Sequence, residues 1–280
     1  MFASNPFAAL TETISAEMIQ GYVILMAILV VGMTIYDMIH KKSAKYFFAK
    51  AKQAEANRVR ELGAGDKIGI AVKVATVDVA TAGEFCNPMR RISHMLMMWG
   101  FILFIVSTVA LTFAYTGEAP AIVAQLWHLG AIMVMVGGYW FWFFIRVDVS
   151  AEAVSLFRIV QADLFILSLL GTTTFGLLWS IMQSKGDAMW TTIFLALFII
   201  SATFLFGGVL WSKFAHMFFK PAAAFNKRVI KADGSRENLP EDFDLTSSEI
   251  QKRYPDIPEY MGTNPSYMGL GIKREKPKHY

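Results

Sequence analysis

The chain has 280 residues, of which 55% are hydrophobic, 14% aromatic and only 17% charged, with a formal net charge of +4. Soluble domains carry about a quarter charged residues, so this balance excludes disordered, coiled-coil and collagen-like chains and argues against a water-soluble globule. The single cysteine, Cys86, excludes a disulfide framework and an intrinsic iron–sulfur cluster, which needs about four thiolates.

Five uncharged apolar stretches follow one another along the chain. They run from Met18 to Tyr36, Met95 to Tyr115, Ala121 to Ile145, Leu164 to Met182 and Ala188 to Ser212. About 20 apolar residues span a bilayer as a helix, and none of these stretches alternates as a barrel strand does. The expected fold is therefore an all-α membrane protein of five transmembrane helices. Residues 1–17 form an N-terminal segment, 18–39 the first helix, 40–93 a loop, 94–220 helices two to five, and 221–280 a tail. No basic n-region or small-residue cleavage site marks the first helix as a signal peptide.

Lys and Arg set the orientation. Eleven lie between the first two apolar stretches, two between the third and fourth, and twelve from Lys213 onward. Only Lys185 falls on the opposite side. The positive-inside rule then puts the N-terminus outside and the loop and tail in the cytoplasm, in a bacterial-type inner membrane. This asymmetry accounts for the basic charge without nucleic acid. An aromatic belt would put Trp127, Trp179 and Trp190 at the outer interface and Trp99, Trp140 and Trp211 at the inner one.

In the loop, Lys41 to Leu62 reads as a basic helix continuing the first span, broken at Gly63-Ala64-Gly65. Ile68 to Thr81, rich in β-branched residues, fits a hairpin or a short helix. In the tail, Thr246-Ser247-Ser248-Glu249 fits a capping box that opens a short helix toward Tyr254. The remainder reads as an extended docking arm carrying Tyr254, Tyr260, Tyr267 and Tyr280, because aromatics suit protein contacts. No nucleotide-binding or zinc motif occurs.

Histidines carry the chemical signal, because ionisable groups at membrane depth are costly. His279 falls in the tail. His40, His94 and His216 share the cytoplasmic level if the fifth helix continues past Ser212, as Phe214, Met217, Phe218 and Phe219 suggest. A pair of imidazoles on facing helices can hold a haem iron, and Arg90 and Arg91 would then pair with its propionates. Histidines at a headgroup boundary are also cheap, so interfacial solvation is the competing reading. His128 sits alone deeper in the third helix. It suits a quinone carbonyl or, equally, a bond to a neighbouring helix such as Thr172, Thr173 or Thr174. Asp37, three residues before His40, is a candidate for proton uptake at a quinone; it and Asp163 also suit the interface.

The run Arg90-Arg91-Ile92-Ser93-His94-Met95-Leu96-Met97-Met98-Trp99-Gly100-Phe101 resembles the opening of the second helix in the nitrate reductase gamma-subunit-like membrane cytochromes b. That family borders the membrane anchor of adenylylsulfate reductase in sulfur-oxidising bacteria. The resemblance implies five helices and, in its nitrate-reductase-type members, two stacked haems held by histidines of helices two and five. The inner ligands would correspond to His94 and His216. The outer ones would fall at Phe104 and Phe198, so the resemblance leaves one b-type haem or none. It implies a membrane anchor and electron-transfer subunit of a quinone-linked oxidoreductase, without a complete catalytic site of its own. Cytoplasmic iron–sulfur or flavin subunits would be the partner and quinone the substrate. A haem-free quinone-binding anchor and a small transporter or channel are the alternatives.

Overall fold

The computed structural model describes residues 2–40, 43–83, 85, 87–147, 152–214, 216–236, 239, 243–244 and 247–254. Every regular element among them is helical. In chain order these are α1 (Pro6–Leu10), α2 (Ala16–His40), α3 (Ser43–Ala56), α4 (Ala64–Lys73), α5 (Pro88–Val109), α6 (Ala121–Trp140), α7 (Leu164–Lys185), α8 (Ala188–Gly207), α9 (His216–Ala232) and α10 (Ser248–Arg253). Looser π-helical turns extend α4 over Val74–Ala80, α5 over Ala110–Ala114 and α6 over Phe141–Ile145, and a 3₁₀ turn, Gln161–Asp163, leads into α7. Five helices, α2 and α5 to α8 with these extensions, are long and apolar enough to cross a membrane.

Local chemistry sets the ends. Asn87 accepts from the Met89 and Arg90 amides, with Pro88 in the first turn of α5, the arrangement that satisfies orphan N–H groups. Gly186 closes α7 in the left-handed region at φ 74°, where glycine carries no Cβ penalty. Asp187 then caps α8 through the Trp190 amide. Together they make the tight hairpin of α7 and α8.

The spanning helices adjoin in the order α2, α8, α7, α6, α5. The α5–α6 contact is the closest, and glycine permits it. A Cβ on Gly130 would stand 2.6 Å from the Phe104 amide nitrogen and 2.7 Å from the Gly100 carbonyl oxygen. Ser93 Oγ donates to the Gly137 carbonyl at 2.8 Å across the same seam. Small residues and interhelical hydrogen bonds are the means of association where lipid removes the hydrophobic drive.

Two buried clusters fill the bundle. At the end carrying α1, Phe7, Phe104, Trp127, Trp179 and Phe198 pack ring against ring. At the opposite, basic end, Trp142, Ile166, Leu170, Leu205, Val209 and Phe214 form the second cluster. Trp127 and Trp179 are thus fully buried and do not belong to an interfacial belt, whereas Trp99, Trp190 and Trp211 are exposed. The N-terminal segment is part of the fold: Asn5 caps α1 through the Phe7 amide and donates to the Tyr115 carbonyl at 2.8 Å.

The fifth spanning helix does not continue to His216. It stops at Gly207, and at Gly208 a Cβ would lie 2.4 Å from the Phe204 carbonyl oxygen. Phe214, which suggests continuation, instead anchors a turn into the basic-end cluster together with Val209. A separate helix, α9, then runs through Pro221 to Ala232, so the first part of the tail is not an extended arm. The loop is helical as well, with Ile68 inside α4 and no hairpin. The short tail helix is present as α10, but its N-cap is Ser247, one residue later than the expected capping box, and no side-chain capping bond is made among the described residues. Cys86, Thr246, Tyr260, Tyr267, His279 and Tyr280 lie outside the described residues.

Candidate functional site

His94, in the second turn of α5, and His216, the first residue of α9, both lie at the basic end. The break after Gly207 brings this about, since it returns the chain to the bundle through Phe214 before α9 begins. His216 Nδ1 donates to the Lys213 carbonyl, which fixes the ring. Such a bond is what orients a ligating imidazole. Phe165 meets the His216 ring edge-on at 5.7 Å. Burial, opposed by that carbonyl bond and aided by Lys220 and Lys213, lowers the His216 pKa below its ordinary value. The imidazole is therefore neutral at neutral pH, the form that binds metal.

His94 Nδ1 is buried and makes no hydrogen bond among the described residues. Phe85 stands 4.9 Å from its ring, and the Lys220 ammonium lies 5.5 Å from the Phe85 ring. Lys220 follows His216 by one turn, so one cation stands near both histidines, beside Phe85 on the His94 side. Neither Phe85 nor Lys220 stands out in the sequence; the i,i+4 spacing of Lys220 from His216 is the one signal that could have found it.

The other candidates disperse. Arg90 donates to the Ile145 carbonyl at 3.3 Å and Arg91 to the Thr81 carbonyl at 2.8 Å, so both guanidinium groups tie connections to α5. His40 is exposed at the end of α2 and stacks on Tyr36 at 5.4 Å. Asp37 is buried and does not share His40's exposure. His128 is 2% exposed, and both ring nitrogens are engaged. One meets the Ala124 carbonyl at 2.7 Å and the other Ser180 Oγ at 2.8 Å. Since the carbonyl can only accept, Nδ1 carries the proton and Nε2 accepts from Ser180. The bond to a neighbouring helix is made, to Ser180 and not to the threonines. Asp163 binds Arg146 at 2.6 Å in a buried pair, with the Arg146 guanidinium 4.0 Å from the Trp142 ring.

Phe104 and Phe198 occupy the positions where a second pair of haem ligands would fall. Phe104 packs on Trp127 at 5.0 Å and Phe198 stacks on Trp179 at 5.7 Å. No group of three or more His, Cys, Asp or Glu side chains suited to a metal ion occurs among the described residues.

No protein-family model, curated protein or solved structure matches this chain.

Proposed function

We propose that this chain is the membrane anchor and electron-transfer subunit of a quinone-linked oxidoreductase, with His94 and His216 as the side chains that would hold one b-type haem at the basic end. The observation that carries the reading is that His94 and His216 lie at the same end of the bundle, with Phe85 against the first ring, Phe165 against the second and Lys220 beside Phe85. The donor chemistry fits the group. The buried Nδ1 of His94 makes no hydrogen bond among the described residues, and the His216 ring is held by its own backbone bond. Bound there, a haem would supply one-electron transfer. The protein's part is to hold the two rings, exclude water with Phe85 and Phe165, and place the Lys220 charge nearby. The aromatic filling around Phe104 and Phe198 supports one haem in preference to two.

With a single cysteine, iron–sulfur chemistry would belong to a soluble partner, and the resemblance implies the same for a flavin. The basic loop and α9 would form its platform on the cytoplasmic side, as the positive-inside rule orients the chain. The resemblance noted above makes adenylylsulfate reductase or a related sulfur-metabolism enzyme the partner to try first.

The test is the absorption spectrum of the purified chain, made with ample haem and reduced with dithionite. A sharp b-type α-band is expected, and His94→Ala and His216→Ala should each abolish it. A chain without the band is a haem-free anchor, and a band that survives either substitution moves the ligand elsewhere.

A further inference from the structure

A second surface at the basic end is built for lipid. The helix α4 and its π-helical extension, Val74–Ala80, have two unlike faces. Ile70, Val74 and Asp78 turn toward α9, where Val74 is buried and Asp78 binds Arg228. The opposite face holds Gly65, Ile68, Gly69, Val72 and Thr76, with no charge. Ile68 is 64% exposed and Val72 56%. The Thr76 hydroxyl is spent on the Val72 carbonyl at 2.8 Å, so even the polar member of this face asks nothing of water.

The end of the segment fixes where this face lies. Trp99 Nε1 donates to the Ala80 carbonyl at 3.0 Å, and Arg91 Nε donates to the Thr81 carbonyl. Trp99 belongs to an exposed stripe of α5 with Met89, Ile92, Ile102 and Val106, the stripe that a spanning helix turns to lipid. It stands four residues into the apolar run that starts at Met95, about 6 Å along the helix axis. The segment is thus tied to the lipid-facing side of α5 at the edge of the hydrocarbon. There the terminal carbonyls of a helix cannot rely on water and need protein donors, which Trp99 and Arg91 supply.

We infer that α4 and its extension lie in the headgroup boundary as an interfacial element, with Ile68 and Val72 seated among the acyl chains. Two observations name lipid as the occupant. The segment ends on the lipid-facing stripe of α5 through the Trp99–Ala80 bond, and Lys73 stands at the edge of the apolar face, where it can meet anionic headgroups. Through the Asp78–Arg228 pair this seat also bears on α9 and hence on His216. The inference needs only the spanning reading and stands whether or not a haem is bound.

The experiment uses the full chain in a Cys86→Ser background, reconstituted in vesicles of phosphatidylcholine and phosphatidylglycerol. Nitroxide labels go on Ile68→Cys, Val72→Cys and, as a water-facing control on α3, Lys52→Cys. Power saturation should show the labels at 68 and 72 relaxed more by oxygen than by a water-soluble nickel chelate, with the order reversed at 52. Hydroxyl-radical footprinting of the unsubstituted chain in nanodiscs of the same lipids gives a second reading. Ile68 and Val72 should be modified several-fold less than Val59, which is 84% exposed. Nickel access at 68 and 72 matching that at 52, or modification equal to that of Val59, overturns the inference and leaves the face to a soluble protein.

Discussion

Single side chains decide what the buried polar groups of this bundle do. His128 looked in the sequence like a quinone contact or a helix-to-helix bond, because depth alone cannot distinguish them. The structure supplies the second partner, Ser180 Oγ at 2.8 Å. Ser180→Ala leaves Nε2 without a donor in a dry place. It should cost about 1 kcal/mol, in line with hydrogen bonds measured between membrane helices, read as a lower thermal midpoint in detergent; Ser180→Thr should recover most of it. Asp78 is the other informative residue. Its bonds to Arg228, opposed by burial and helped by the charges of Arg228, Lys227 and Lys73, hold its carboxyl below the usual value of 3.8. A depressed carboxylate contributes stability that is fully present above the unfolded pKa and lost as pH falls through the folded one. Asp78→Asn should therefore loosen α9 by about 1–2 kcal/mol at pH 5 to 8, seen as faster amide exchange in α9. The gap to the unsubstituted chain should close below about pH 4.

At the scale of elements, the five spans were legible because a long apolar run admits little other than a helix in lipid. The third expected span, Ala121 to Ile145, coincides with the observed one. What composition could not show was where an apolar run stops being helix. Val209 and Phe214 are as hydrophobic as the residues of α8, yet the Gly207-Gly208 pair ends the helix and the core takes those side chains in a turn. The same blindness divides a single helix, α9, at residue 220 and reads its second half as an arm, because Pro221 and the Pro, Gly, Asn and Asp of the tail hide a short amphipathic stretch that carries Phe225, Val229 and Ile230. Helix pairing was equally hidden: glycine at membrane depth is common, and only the structure tells which glycines are seams. Gly130→Ala should separate α5 from α6 and destabilise the bundle by about 1–3 kcal/mol, the usual cost of overpacking. Gly32→Ala, on α2 where a Cβ would meet nothing within 4 Å, should be neutral or slightly stabilising. Thermal denaturation of the two variants side by side checks the contrast.

For the whole molecule, charge and architecture point the same way. The connections at the α1 end, such as Tyr115 to Pro120 and the Gly186-Asp187 turn, are short and carry almost no cations. The connections at the other end fold into α3, α4 and α9. There Asp78 grips Arg228, and the Asp233 carbonyl accepts from the Val59 and Arg60 amides at 2.9 Å. Each cation left on the wrong side would have to cross the hydrocarbon during insertion, so the basic end should remain cytoplasmic and the α1 end face out. A fluorescent protein fused after Tyr280 and produced in bacteria should therefore glow, whereas alkaline phosphatase at the same position should be inactive. Replacing the loop cations Lys41, Lys42, Lys45, Lys50 and Lys52 with glutamine tests whether the loop alone sets the orientation. Twelve further cations from Lys213 onward should hold the C-terminal end in place, so the fusion should keep its fluorescence. An active phosphatase on the unsubstituted chain would invert the molecule and put the basic end, with His94, His216 and α9, on the outer face.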